Sequence, residues 1–112
     1  MRFGFMMVLS PREPILRFPD IASHAEAVGF DLAWLGESQM ISKDAYTALA
    51  LAATKTEKIF LGPGVANPVT RHPTVLANTM VALNEISDGR AILGIGAGDS
   101  AVHTIGARPA TV

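Results

Sequence analysis

The chain has 112 residues, 49% of them hydrophobic and 17% charged, and nine Lys and Arg against ten Asp and Glu give a net charge of -1. This composition excludes a disordered chain, and without a cluster of basic residues it excludes a nucleic-acid partner. There is no cysteine, so disulfides, thiolate nucleophiles and cysteine-based metal sites are excluded, and a reducing compartment is compatible.

The opening Met1-Arg2-Phe3-Gly4-Phe5-Met6-Met7-Val8-Leu9 imitates a secretory signal, with a positive charge ahead of apolar residues. The segment after it, Ser10-Pro11-Arg12-Glu13-Pro14, is a charged, proline-punctuated loop rather than a small-residue cleavage site. No apolar run approaches the about 20 residues that cross a bilayer. The expectation is a cytoplasmic protein without a membrane partner, whose first strand runs from Arg2 to Leu9.

Helical periodicity follows. Phe18, Ile21, Ala22, Ala25 and Val28 fall three and four apart and form one apolar stripe, closed by Gly29. An interior proline breaks a helix, so this one is expected to begin at Pro19 or to kink there. Strand two is Asp31 to Leu35. Ser42 is the expected N-cap of a second helix whose Ala45, Leu49, Ala52 and Ala53 form a small-residue face. Strand three begins with Lys58 to Leu61. The third helix starts at Pro73, where a missing N–H costs little, and points Leu76, Met80, Leu83 and Ile86 inward before Gly89. Strand four is Arg90 to Ile95. Apolar strands alternating with amphipathic helices are the pattern of repeated β/α units around a parallel sheet, covered on both faces.

Ligands of such folds gather at the carboxyl ends of the strands. After strand three, Gly62-Pro63-Gly64-Val65-Ala66-Asn67-Pro68 interrupts a β-like run with two glycines and two prolines. It reads either as a bulge that lets a planar ligand approach the backbone or as a plain connecting turn. After strand four, Gly94-Ile95-Gly96-Ala97-Gly98-Asp99 is glycine-rich, but it is not the dinucleotide fingerprint, and rim packing explains it equally. A small doubly wound nucleotide-binding domain would place such a loop after strand one, where Ser10-Pro11-Arg12 stands instead. After strand two, Glu37 has the chemistry of a general acid/base or a hydrogen-bond acceptor for substrate, against the simpler reading of a solvated loop carboxylate. Trp34, between Leu32 and Leu35, reads as core before cofactor platform. His24 reads as surface, His72 as a helix cap beside Arg71, and His103 has no evident partner. No pair of histidines has metal-ligand spacing, so no metal is expected.

Four segments in register resemble one family: Ala25-Glu26-Ala27-Val28-Gly29-Phe30-Asp31 leading to Ala33-Trp34-Leu35, then Leu61 to Pro68, then Arg71-His72-Pro73, then Ser87 to Asp99. The chain resembles the luciferase-like monooxygenase superfamily, with its nearest likeness to the F420-dependent methylenetetrahydromethanopterin reductase branch. The resemblance implies an α/β fold comprising the N-terminal part, about four β/α units, of a TIM (β/α)8 barrel. It also implies an oxidoreductase that transfers a hydride between coenzyme F420 and a small organic substrate. The alternatives are an FMN-dependent monooxygenase and a non-catalytic flavin-binding or truncated relative. It places a non-prolyl cis bond at Gly64-Val65. The expected cofactor-binding residues are Gly64, Val65, Ala66, Asn67, Gly96, Gly98 and Asp99, and the expected catalytic residue is Glu37. Glu37-Ser38 departs from the Asp-His pair common in that branch, which weakens the assignment of catalytic residues. A complete barrel needs about 250 residues, so residues 1–112 are expected to form an incomplete domain. Met6, Val8, Ile92 and Ile95 would then be left exposed, so residues 1–112 alone are expected to be inactive and to dimerise, aggregate or remain partly molten, and the expected assembly is a homo-oligomer.

Overall fold

The computed structural model describes residues 1–110. Strands β1 (Gly4–Met7), β2 (Leu32–Leu35) and β3 (Phe60–Pro63) form a parallel sheet in the order β1-β2-β3, with Gly4 opposite Leu32 and Leu32 opposite Phe60. Helices α1 (Arg17–Ala27), α2 (Ala45–Lys55) and α3 (Pro73–Ile86) alternate with the strands, and a short α4 (Ser100–Thr104) follows.

Each helix boundary has a local cause. In α1, Pro19 is the third helical residue, inside the first turn where an N–H has no intrahelical acceptor, so the helix starts two residues before Pro19. Gly29, at φ 92°, ends α1: its N–H reaches Glu26 O, and the Phe30 N–H reaches Ala25 O at 2.9 Å. Helix α3 ends in the same pattern, with Asp88 at φ 52° in the left-handed position. The expected cap of α2 is corrected. Asp44 caps it, accepting from Thr47 N and Oγ1 at 2.7 Å each. Ser42 instead closes the preceding loop, donating to Ser38 O and accepting from Ser38 N.

Phe18, Ala22, Ala25, Ala48, Leu49, Ala52 and Leu83 meet Leu9, Ala33, Leu35, Ile59 and Leu61 in one core between helices and sheet. Val28 and Ile86, expected to face inward, are exposed because each sits where its helix is already turning away. Coverage of both sheet faces is not observed either. Met6, Val8 and Ile95 are 62%, 46% and 61% exposed on the face away from the helices, while Ile92 is half-buried.

Residues Arg90 to Ile95 lie beside β3 as expected but form no regular strand. They make two isolated parallel bridges, Leu61 with Ala91 and Ala66 with Ile95. From Leu61 to Ala66 is five residues and from Ala91 to Ile95 is four, so the third-strand side carries one extra residue. This is the expected bulge, and it breaks the ladder. Between the bridges, a Cβ on Gly62 would lie 1.8 Å from the Ile92 carbonyl oxygen, so only glycine lets the two segments approach.

Two charged side chains clamp the turn from α2 into β3. The buried Arg90 guanidinium donates to Ser87 O at 2.6 Å and, at 2.9 Å each, to Thr56 Oγ1, Ile59 O, Ala53 O and Thr56 O. From the other side, Glu26 accepts from the N–H groups of Glu57, Lys58 and Ile59. Burial alone would raise the Glu26 pKa, but those three N–H donors and the Arg90 charge together hold it below the ordinary carboxylate value.

Arg90→Met should destabilise the protein by about 3 kcal/mol, because it strands several buried carbonyls. Arg90→Lys should recover little of that loss, since an ammonium lacks the fork. Urea midpoints measure both, and a near-neutral Arg90→Met would contradict the clamp. The lowered Glu26 value means its charge stabilises the fold above the unfolded-state pKa, with that contribution lost as pH falls through the folded-state value. Glu26→Gln should therefore be less stable at neutral pH by about 1 kcal/mol. The gap should begin to close near the ordinary value of 4.5 and narrow further below it. A gap constant from pH 7 to pH 3 would contradict the assignment.

Candidate functional site

The carboxyl ends of the strands lie at Met7, Leu35 and Pro63, and the loops that follow them meet the glycine-rich segment after Ile95. Together they enclose a cavity of about 250 Å³. Met6, Val8 and Val65 give it apolar walls, and Gly36, Gly64 and Gly98 line it with backbone, where a Cβ would meet Val8, Trp34 and Val102 respectively. Of the residues expected at the site, Glu37, Gly64, Val65, Asn67, Gly98 and Asp99 border this cavity. Ala66 and Gly96 do not. Ala66 is fully buried against Tyr46 and Leu76, and Gly96 stands behind the wall, its N–H bonded to Ala66 O at 2.9 Å. The Gly64-Val65 peptide bond is cis, at the position expected from the sequence.

Trp34 accounts for part of the glycine pattern. Cβ atoms built on Gly62, Gly64 and Gly94 would lie 3.3, 3.0 and 3.4 Å from the Trp34 side chain. The tryptophan is only partly buried, outside the helix-covered core to which the sequence assigns it. Trp34 is the nearest obstacle only at Gly64; at Gly62 and Gly94 the Ile92 and Pro63 carbonyl oxygens stand closer, at 1.8 and 2.7 Å.

Glu37 is not a solvated loop carboxylate. Its side chain is 4% exposed. Oε2 accepts from Tyr46 Oη at 2.9 Å, and Oε1 accepts from Gln39 Nε2 at 2.7 Å. Arg71 Nε lies 3.8 Å from Oε1, an electrostatic contact longer than a hydrogen bond, and its guanidinium carbon sits 4.2 Å from the centre of the Tyr46 ring. Arg71 also pairs with Asp44, the cap of α2, at 3.5 Å. Burial, then the Glu37 charge and hydrogen bond, push the Tyr46 hydroxyl well above its ordinary value, so it remains a donor to Glu37. Sequence reading missed Tyr46 and Gln39 as partners of Glu37. The visible signal was slight: Tyr46 is the single large polar side chain near the start of an alanine-rich helix.

Asn67 is 2% exposed and spends its side-chain oxygen on the loop, accepting from Val69 N at 3.2 Å and Thr70 N at 2.9 Å. His72 caps α3, accepting from Thr74 N at 3.3 Å. His24 is on the surface. His103, for which the sequence suggested no partner, lies 3.2 Å from Asp99 one helical turn earlier. Among the described residues, no cluster of three His, Cys, Asp or Glu is placed to hold a metal ion, and no helix is long and apolar enough to cross a membrane.

The family model for luciferase-like monooxygenases matches residues 1–110. Over 101 residues the chain is 43% identical to a 5,10-methylenetetrahydromethanopterin reductase of Methanolobus tindarius, covering 90% of this chain and 30% of that enzyme. It superposes on the coenzyme F420-dependent tetrahydromethanopterin reductase of Methanopyrus kandleri with a TM-score of 0.86 and 37% identity, over 94% of this chain and 30% of that one. It also superposes on the oxygenating constituent of a Pseudomonas putida 3,6-diketocamphane monooxygenase in complex with FMN. There the TM-score is 0.82 and the identity 27%, over 96% of this chain and 33% of that one. The chain therefore spans about a third of the length of the relatives it matches. Its parallel strands and covering helices are the N-terminal β/α units of their TIM-barrel fold. On this match along nearly the whole sequence, the chain belongs to the luciferase-like monooxygenase family.

Proposed function

We propose that residues 1–112 are the N-terminal portion of an F420-dependent oxidoreductase that transfers a hydride between the deazaflavin and a small organic substrate. The observation that carries this reading is the cavity at the strand ends, walled by glycine and apolar side chains, with a single buried carboxylate at its border. A flat, largely apolar ring fits such a wall, where Gly36, Gly64 and Gly98 present backbone rather than side chains. The peptide run Gly64 to Asn67 and the segment Gly96 to Asp99 would hold the group, Ala66 and Gly96 from behind. When bound, the deazaflavin supplies the hydride chemistry.

The protein's own part is position and electrostatics. Tyr46 and Gln39 fix both oxygens of the Glu37 carboxylate, and the Arg71 charge stands beside it. Each carboxylate oxygen keeps a further lone pair for a substrate donor. Glu37 thus orients the substrate or exchanges a proton with it. The likeness to methylenetetrahydromethanopterin reductases supports F420, and the FMN-bound neighbour supports an FMN-dependent monooxygenase as the second reading. A cytoplasmic homo-oligomer acting on a small molecule, with neither nucleic acid nor membrane as partner, belongs to the same proposal.

Fluorescence and absorbance titration of the full-length protein should show F420 binding at least tenfold more tightly than FMN. Tighter binding of FMN would select the monooxygenase reading, and binding of neither would overturn the site. Glu37→Gln should lower kcat at least tenfold while cofactor affinity stays within twofold, as expected for loss of an acid/base or orienting carboxylate. An unchanged kcat would remove Glu37 from the chemistry. Tight cofactor binding with no turnover in the parent protein would favour the non-catalytic relative.

A further inference from the structure

Asn67 is sunk into the wall of the cavity at the strand ends, with 2% of its surface exposed. Its place follows from the bulge. Ala66 turns into the core and pairs with Gly94 O and Gly96 N, and the next side chain lies against Gly98, where a Cβ would stand 3.0 Å from Asn67 Cβ and Cγ.

The side-chain amide of Asn67 has one orientation. Oδ1 accepts from Val69 N at 3.2 Å and Thr70 N at 2.9 Å, and Nδ2 cannot take its place there, because an amide nitrogen accepts no hydrogen bond. Nδ2, with two N–H donors, is thereby turned away from the loop. Among the described residues it has no acceptor, since both bonds of the side chain go to the oxygen. The buried side-chain atoms that lack a partner and are closed to water are Ser38 Oγ, Gln39 Oε1, Thr70 Oγ1 and Arg71 Nε. Asn67 Nδ2 is not one of them, so a small group reaches it, from the cavity that Asn67 borders. Buried donors in native proteins are nearly always paired, so this one is completed by what fills the cavity.

The rest of the wall narrows the ligand. Glu37 and Asp99 are acceptors, Ser38 Oγ is closed off, and Ser100 is exposed. Asn67 is therefore the one buried side chain on this wall that offers a donor both held in place and reachable. No Lys or Arg lines the cavity, so the wall does not suit a phosphate or a carboxylate. A neutral donor among apolar groups and backbone suits a neutral acceptor, a carbonyl oxygen on the edge of a flat ring.

We propose that Asn67 Nδ2 donates to a ring carbonyl in this cavity and so fixes which edge of the ring is held at the wall. The assignment rests on the oxidoreductase reading, in which that ring is the redox cofactor; deazaflavins and flavins both carry carbonyls on one edge.

Asn67→Asp separates the two ends of the side chain. One carboxylate oxygen still accepts from Val69 and Thr70, while the reachable end turns from donor to acceptor. The full-length variant should keep its melting temperature within about 3 °C of the parent. In titrations without substrate it should bind the cofactor that the parent binds, F420 or FMN, at least tenfold more weakly. The loss should persist at about 1 M salt, which screens charges beyond about 3 Å. A cofactor-soaked crystal of the parent protein reads the same contact without a variant, and should show a ring carbonyl oxygen about 3 Å from Nδ2. Unchanged cofactor affinity in Asn67→Asp, a loss that salt abolishes, or only water against Nδ2 in the loaded crystal would overturn the assignment. So would a raised KM for substrate with cofactor affinity unmoved, which would give the donor to the substrate instead. Binding of neither cofactor by the parent protein would remove the oxidoreductase reading itself, and this assignment with it.

Discussion

The arrangement at the strand ends depends on a buried guanidinium at the opposite end of the sheet. Arg90 takes up carbonyls left over where α2 and α3 end, and Glu26 takes up the N–H groups of the same turn into β3. A helix end buried without partners is costly, and here charged side chains take up the groups that the local caps leave over. The Arg90 main chain also starts the fourth segment: its carbonyl accepts from Leu61 N at 3.0 Å, and Ile92 N returns to Leu61 O at 2.9 Å. One residue thereby fixes both how α2 enters β3 and the register of the segment that carries Gly94, Gly96 and Gly98 to the cavity.

From that anchored start, the extra residue between Leu61 and Ala66 re-aims the chain. The bulge turns Gly64 and Val65 into the cavity wall and sends Ala66 into the core, where its N–H and carbonyl resume pairing with Gly94 and Gly96. Trp34 lies across the glycines of both segments. The glycine-rich pattern thus has several causes. Gly64 makes space for Trp34, and Gly62 and Gly94 make space for the carbonyls of the facing segment, so the pattern alone does not measure how closely a ligand approaches.

Features set by neighbours in sequence were legible without coordinates. Gly29 ending α1, Pro73 opening α3, the small-residue face of α2 and the bulge in the Gly62 to Pro68 run all follow from local backbone chemistry. Choices between near-equivalent local options were not. Ser42 and Asp44 are both good caps, and Asp44 prevails because Ser42 is taken up by Ser38. The strand from Arg90 to Ile95 was overestimated because apolar composition does not reveal a broken ladder. Long-range polar pairing was least legible. Arg90 reaches residues 31 to 37 positions away, and the Glu37, Tyr46 and Arg71 cluster joins two loops through chain distances that no periodicity reports. The Asp99 and His103 pair stands apart, since its spacing of four was open to inspection.

Held at one end by Arg90 and Glu26 and opened at the other by the bulge, the sheet presents a backbone wall beside a fixed carboxylate. The central claim is that the bare wall receives the redox ring. A crystal structure of the full-length protein with F420 bound tests it most directly. The account predicts the ring against Gly64 and Val65, bordered by Glu37. A ring bound elsewhere, with the wall beside Glu37 covered by the protein's own side chains, would contradict it.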